Sequence, residues 1–328
     1  MSQQIVKIII LGALLIVLGA CKETQDKVSI RLAHGLDLQH PVHLSLVHMN
    51  EVLKQVSDEQ MELVIYPSGQ LGSEREIIEL IQIGTMGMTK VSASSLEAFV
   101  PEMKVFSLPY LFRDQTHFWQ VLNGDVGQSL LSSGTNMRIK GLGYFDAGSR
   151  SFYTTKDRVL TPDDLAGLKV RVMNSQSAVE MVNTMGGAAT PVNWGELYTA
   201  LQQGIVEGAE NNPPSFYYSK HYEVSKYYLL DEHTSIPDVI IIGTHMWAQL
   251  NEQQQNWLTE AMMQASVYQR KLWAESTQMS LAKVAEAGVE IIKAEKHLFK
   301  DSVQPIYDKV NQGELAQLVS EISAVGVQ

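Results

Sequence analysis

Two arginines stand where a carboxylate could be read. Arg171 lies in residues 168–172, a short strand pattern after Gly167, on the face opposite Val170 and Val172. A guanidinium held by a strand presents a planar fork that matches the two oxygens of a carboxylate. Arg150 follows the apolar segment 142–145, within Ala147-Gly148-Ser149-Arg150-Ser151. A single arginine is more often a surface charge or a structural ion-pair partner. The pair gains weight from its company: Trp194, at a helix start, offers a flat face for stacking, and Glu210-Asn211-Asn212-Pro213-Pro214 is a polar loop stiffened by prolines. Core packing for Trp194 and a turn role for Asn211 are the competing readings.

Other chemistries have less to stand on. There is no Gly-x-Ser-x-Gly elbow, no P-loop and no dinucleotide fingerprint, and Gly141-Leu142-Gly143 lacks both the third glycine and the helix start. His40 and His43 straddle a helix start and His48 is out of phase with both, which favours capping and surface roles over a metal site. No metal or cofactor is expected. One cysteine, Cys21, excludes an internal disulfide framework and any Cys-rich zinc or iron–sulfur site. The balance of 25 Lys plus Arg against 36 Asp plus Glu gives a net charge of −11, which disfavours nucleic acid and anionic membrane surfaces. An anionic ligand must therefore be recruited by local arginines against the overall field.

The elements that would position these residues alternate between strand and helix periods, an α/β pattern. Val28, Ile30 and Leu32 alternate with polar or small residues as a strand. Pro41 opens a helix whose Val42, Leu46, Met49, Leu53 and Val56 form one apolar stripe. Residues 61–66 read as a strand closed by Pro67-Ser68-Gly69, 74–83 as a helix stopped by Gly84, 175–185 as a helix before Gly186-Gly187, and 239–242 as an apolar strand. Asn193-Trp194-Gly195-Glu196 resembles a capping box ahead of Leu197 and Leu201. Residues 252–287 hold neither proline nor glycine, so they form either one helix of about 50 Å or two with a break near Glu275 or Ser276.

The N-terminus reads as a secretory signal: Lys7, an apolar run over 8–18, then Gly19-Ala20. Leu18-Gly19-Ala20-Cys21 matches a bacterial lipobox, which would acylate Cys21. The alternative is an ordinary signal cut downstream with Cys21 discarded. Either way the mature chain is expected in the periplasm, with residues 21–27 as a polar tether.

Four segments in order then carry a resemblance: Tyr66-Pro67-Ser68-Gly69-Gln70-Leu71-Gly72, Leu108-Pro109-Tyr110-Leu111-Phe112, Gly167-Leu168-Lys169-Val170-Arg171-Val172 and Glu207-Gly208-Ala209-Glu210-Asn211. The chain resembles the DctP-type solute-binding proteins of tripartite ATP-independent periplasmic (TRAP) transporters. The resemblance implies two α/β lobes joined by hinge strands, closing over a ligand, with one long helix across both. The expected division is a signal peptide over 1–20, a tether over 21–27, one lobe from 28–147 with 237–276, and the other from 148–236 with 277–328. Carried over by position, Arg171 would clamp a carboxylate, Arg150 support it, Asn211 hydrogen-bond it and Trp194 line the pocket. Glu74 would take ligand hydroxyls, with His34 and Asp238 as rim or hydroxyl contacts. Ser92 and Ser95 stand where sialic-acid binders carry a glutamate and an arginine, which argues for a smaller polyhydroxylated acid. The segment from Glu210 to Phe216 looks like that of uronate-binding members. The expected partners are a small organic acid, taken to be a hexuronate such as glucuronate or galacturonate, and the membrane subunits of a TRAP permease driven by a sodium gradient. The expected state is a monomer.

Three readings compete. A C4-dicarboxylate or keto acid could be the ligand. A ligand-bound sensor component would use the same fold. An enzyme on sugar acids would have only Glu74 with Glu210 as its acid and base.

Overall fold

The computed structural model describes residues 27–326, so the signal segment, Cys21 and all of the tether except Lys27 lie outside the described residues. Among the described residues eleven strands form two sheets. The first contains β1 (Val28–Ala33), β2 (Met61–Tyr66), β3 (Met88–Ser92) and β4 (Ile139–Phe145). The second begins with β5 (Ser151–Thr154), β6 (Lys169–Val172), β7 (Ala188–Pro191), β8 (Gly208–Asn211) and β9 (Tyr227–Leu230). The chain then returns to the first sheet as β10 (Asp238–Gly243) and ends its strand content in the second as β11 (Glu290–Lys293). The orders are β2-β1-β3-β10-β4 and β11-β9-β5-β8-β6-β7. Each sheet is parallel except for one strand, β10 in the first and β5 in the second, and each of these is made directly after the chain has crossed from the other sheet.

The expected helices form where their stripes dictate. Helix α1 (Pro41–Val56) starts with Pro41 in its first turn, capped by the His40 ring, which accepts from the Val42 N–H. It buries Val42, Leu46, Met49 and Leu53 in a core shared with Ile30, Leu32 and Ile240 of the first sheet. Helix α2 (Glu74–Gln82) begins on a reciprocal capping box between Ser73 and Glu76, which places Glu74 at its first position. A short helix α3 (Pro213–Tyr218) follows β8, its two prolines in the first turn and Asn212 as its cap.

Helix α4 runs unbroken over Glu252–Glu286, 35 residues or about 52 Å, so the two-helix alternative does not hold. An Asn251–Gln254 capping box starts it. It packs along α1 and β4 through Leu258, Ala261, Met262 and Ala265, then reaches α3 and places Val284 in the core of the second sheet, beside Tyr153 and Phe216. One rod thus contacts the cores of both sheets. The capping box expected at Asn193 does not form. The Asn193 side-chain oxygen instead accepts from the Asn174 amide at 2.8 Å, and Trp194–Glu196 is a 3-10 turn ahead of helix Leu197–Gln202. The helix Ala316–Ala324 returns to the first sheet's side, where the His117 ring lies 2.9 Å from the Ile322 carbonyl and Arg113 donates to that of Ser323.

Residues 146–150 and 231–237 are the strand crossings between the sheets, and they meet: the Arg150 N–H donates to the Thr234 carbonyl at 2.7 Å. Gly148, at φ +58°, lies against α4 so closely that a Cβ there would come within 2.9 Å of Trp273 Nε1.

Candidate functional site

A cavity of about 350 Å³ lies between the sheets. Its walls come from the carboxyl ends of parallel strands in both sheets: Gly35 and Leu36 after β1, Ser68 and Gly69 after β2, Ser92 closing β3, Met173 after β6, Val192 to Trp194 after β7, and Asn211 closing β8. Open α/β sheets place ligands at such strand ends, where the backbone turns away and leaves a crevice. Arg171, Arg150, Asn211, Trp194, Glu74, Asp238, Ser92 and Ser95 all line it.

Arg171 is held by β6 between β7 and β8. Its Nε donates to the Val192 carbonyl at 2.8 Å, and its guanidinium lies 5.8 Å from the Trp194 ring centroid. Its Nη1 is buried without a hydrogen-bond partner. Burial lowers its pKa to about 10. A buried cation with unused donors on a cavity wall is arranged for an anion.

Arg150 is differently placed. Nε donates to Glu210 Oε2, Nη2 to Glu210 Oε1 at 2.9 Å and to the Glu210 carbonyl at 2.7 Å, and Nη1 to Asn211 Oδ1 at 2.9 Å. Of its five N–H groups one, on Nη1, is left over. Arg150 therefore has little of its fork to offer a ligand, because Glu210 already occupies it. It fixes Asn211 instead: with Oδ1 accepting from Arg150 and from the Asn212 N–H, the Asn211 amide keeps its NH₂ as the group to present. Burial pushes the Glu210 carboxyl up, but the Arg150 guanidinium outweighs it and holds the pKa at about 2.

Behind this pair, His233 Nδ1 lies 2.8 Å from Asp231 Oδ2, and Nε2 lies 3.5 Å from Glu210 Oε2 as an electrostatic contact rather than a hydrogen bond. Burial disfavours its charged form, but the Asp231 and Glu210 carboxylates prevail and raise its pKa to about 9. A folded value above the unfolded 6.5 adds stability that is complete below pH 6.5 and lost as pH rises through 9. Urea denaturation of the parent and of His233→Gln should therefore differ most below pH 6.5 and converge towards pH 9.5. A constant difference would show that the imidazolium contributes nothing.

Opposite the arginines, Glu74 accepts from Ser95 Oγ at 2.5 Å, from the Ser92 N–H at 3.3 Å and from Lys90 Nζ at 3.2 Å. Asp238 Oδ1 accepts from the same ammonium at 3.1 Å. Burial raises the Asp238 carboxyl against the opposing pull of Lys90. Ser95 thus spends its hydroxyl on Glu74. Trp194, half-buried, both lines the cavity and packs against two cores, its ring 5.1 Å from that of His221.

His34 is the expected contact that the structure does not bring to the cavity wall. Its Nδ1 accepts from the Leu36 N–H in the turn after β1 and its Nε2 faces His43 Nδ1 of α1 at 3.0 Å, so both ring nitrogens are engaged within the protein. Burial, with Lys90 nearby, lowers its pKa to about 3 and keeps it neutral. Lys90, His40 and Ser215 line the cavity and were not singled out as contacts from the sequence. His40 Nε2 lies 3.3 Å from Ser215 Oγ, a link between α1 and α3.

A family model for DctP, the bacterial extracellular solute-binding proteins of family 7, matches residues 32–313. The chain belongs to this family. It is similar to the TRAP solute-binding protein of Pseudomonas putida F1 with bound D-glucuronate, at 34% identity and TM-score 0.88 over 92% of this chain and 98% of that one. It is also similar to that of Xanthobacter autotrophicus Py2 with bound β-D-galacturonate, at 33% identity and TM-score 0.87 over 90% and 99%. The Polaromonas sp. JS666 protein bound to D-erythronate matches at 30% identity and TM-score 0.89 over 92% and 100%. As a DctP-family member the protein is the solute-binding component of a TRAP transporter, not an enzyme, and it works with the membrane components of such a transporter. Its mixed α/β two-sheet fold with one long helix is that of the solved TRAP solute-binding proteins. Among the described residues no helix is long and apolar enough to cross a membrane.

Proposed function

We propose that this protein captures a hexuronate, glucuronate or galacturonate, and delivers it to a TRAP permease in a closed form. The observation that carries the reading is Arg171: a buried guanidinium on the cavity wall whose Nη1 lacks a protein partner. A ligand carboxylate would supply the missing acceptor, with the Asn211 amide beside it and Trp194 flanking the fork. The other end of the cavity, with Glu74, Asp238 and Ser92, suits hydroxyls. The uronates in two of the similar structures support this division of labour.

The moving parts are two lobes: residues 28–147 with 237–276, and 148–236 with 277–328, the helix Ala316–Ala324 riding on the first by its contacts there. Ligand meets Arg171 in the open cleft, and closure brings Glu74 and Asp238 over it and excludes water. The protein acts as a monomer, held at the membrane by an acylated Cys21.

The test is thermal unfolding of the mature protein, refolded from denaturant to strip ligand, against hexuronates, aldonates, C4-dicarboxylates, keto acids and sialic acid. A hexuronate at about 1,000 times its dissociation constant should add about 4 kcal/mol of stability. Shifts with dicarboxylates or keto acids and none with hexuronates would overturn the ligand assignment.

A further inference from the structure

Lys90 is the unusual group in the cavity. It sits mid-strand in β3, whose residues are all buried, and its side chain is only 6% exposed. Register explains its surroundings: Lys90 pairs with Ile240 and Ser92 with Asp238, so Lys90, Ser92 and Asp238 share one face of the sheet. Glu74 comes to the same place from the start of α2. Burial acts against the ammonium, but Asp238 and Glu74 outweigh it and raise its pKa. An ammonium carries three donors, and two are spent on Glu74 Oε1 and Asp238 Oδ1.

We propose that Lys90 is a specificity-determining residue that makes this end of the cavity select hydroxyl groups and refuse a second carboxylate, its third N–H donating to a ligand hydroxyl oxygen while Asp238 accepts that hydroxyl's proton. The inference rests on the proposed sugar-acid reading and deepens it. The chemistry follows from counting groups. One ammonium between two carboxylates leaves the cluster with an excess negative charge, so a second ligand carboxylate meets repulsion. A hydroxyl, donor and acceptor at once, satisfies Lys90 and Asp238 together. Glu74 is largely spent, with Lys90, the Ser92 N–H and Ser95 Oγ all on its oxygens. That leaves Asp238 as the acceptor and Lys90 as the donor of the selecting pair. Without Lys90 the two carboxylates would face the ligand uncompensated, and the oxygen of the hydroxyl would lose its donor.

The test is a cycle of residue against ligand. Calorimetry on ligand-stripped parent, Lys90→Met, and the charge-balanced double variant Lys90→Gln with Asp238→Asn would use a hexuronate and its four monodeoxy analogues. For the parent, one deoxy analogue should bind about 10- to 100-fold more weakly than the hexuronate. In both variants that particular difference should collapse to within about threefold, while the remaining analogues keep their parent ratios. Equal losses for all five ligands would overturn the role of Lys90 and leave the uronate reading standing. If the parent binds an aldonate but no hexuronate, the uronate reading fails, and the same cycle on the aldonate and its deoxy forms decides Lys90. A parent that binds a plain C4-dicarboxylate as tightly as any hydroxy acid overturns the inference directly.

Discussion

Arg171→Met is expected to weaken binding of the cognate acid by about 1,000-fold while leaving the ligand-free fold at least as stable as the parent. The loss follows from removing one side of a desolvated, charge-assisted pair, worth about 2 to 5 kcal/mol. The stability expectation is less usual and comes from the same atoms. In the ligand-free protein Arg171 carries a buried, unpartnered Nη1, and burial moves its pKa from 12.5 to about 10. That fall is equivalent to roughly 3 kcal/mol against the charged form. A cation whose folded value lies below its unfolded one costs stability at every pH below about 10, and the cost fades between about 10 and 12.5. Methionine removes the charge and keeps volume. Calorimetry with the hexuronate and urea denaturation without it measure the two halves. Binding within tenfold of the parent would remove Arg171 from the centre of the site, and a large destabilisation would mean that its Val192 and Trp194 contacts matter more than its desolvation.

Glu210→Gln should lower stability by about 3 to 5 kcal/mol, because it leaves Arg150 buried against a neutral amide and takes a carboxylate from His233. For a chain of this size that corresponds to a fall in Tm of roughly 5 to 8 °C. The double variant Arg150→Met with Glu210→Leu should cost clearly less than the two single variants added together, since the charges leave as a pair. Scanning calorimetry of the stripped proteins provides the numbers. A single-variant loss below about 1 kcal/mol would show that the pair is no structural support, and that Arg150 is available to the ligand after all.

What could be read in the chain beforehand divides along a physical line. Arg171 and Arg150 were legible because short local patterns, an alternating strand and a small-residue turn, already place them. Helix α4 was legible in extent because nothing from 252 to 287 can break a helix, yet its continuity past Glu275 needed the packing on α1 and α3. Lys90 was not legible: its partners lie 16 and 148 positions away, and only the docking of α2 and the register of β10 on β3 bring them together. The occupation of Arg150 by Glu210 is similarly a product of pairing between β5 and β8, where Phe152 and Ser151 face Glu210 and Asn211. Asn193 misled because a cap motif competes with any nearby amide, and Asn174 wins. Short strands such as β7, β9 and β11, four residues each, carry too little periodicity to be seen without the sheet that recruits them.

The strand order also bears on how the molecule is made. β10 sits between β3 and β4, yet it is encoded after every strand of the second sheet but β11. As the chain grows from its N-terminus, β3 and β4 both wait with an unpaired edge until residue 243 has appeared. Such edges are templates for pairing with other chains. Cutting the chain at the first crossing leaves the N-terminal piece without β10, while the remainder holds every strand of the second sheet, so completion of the first sheet is expected to be a late, non-local event.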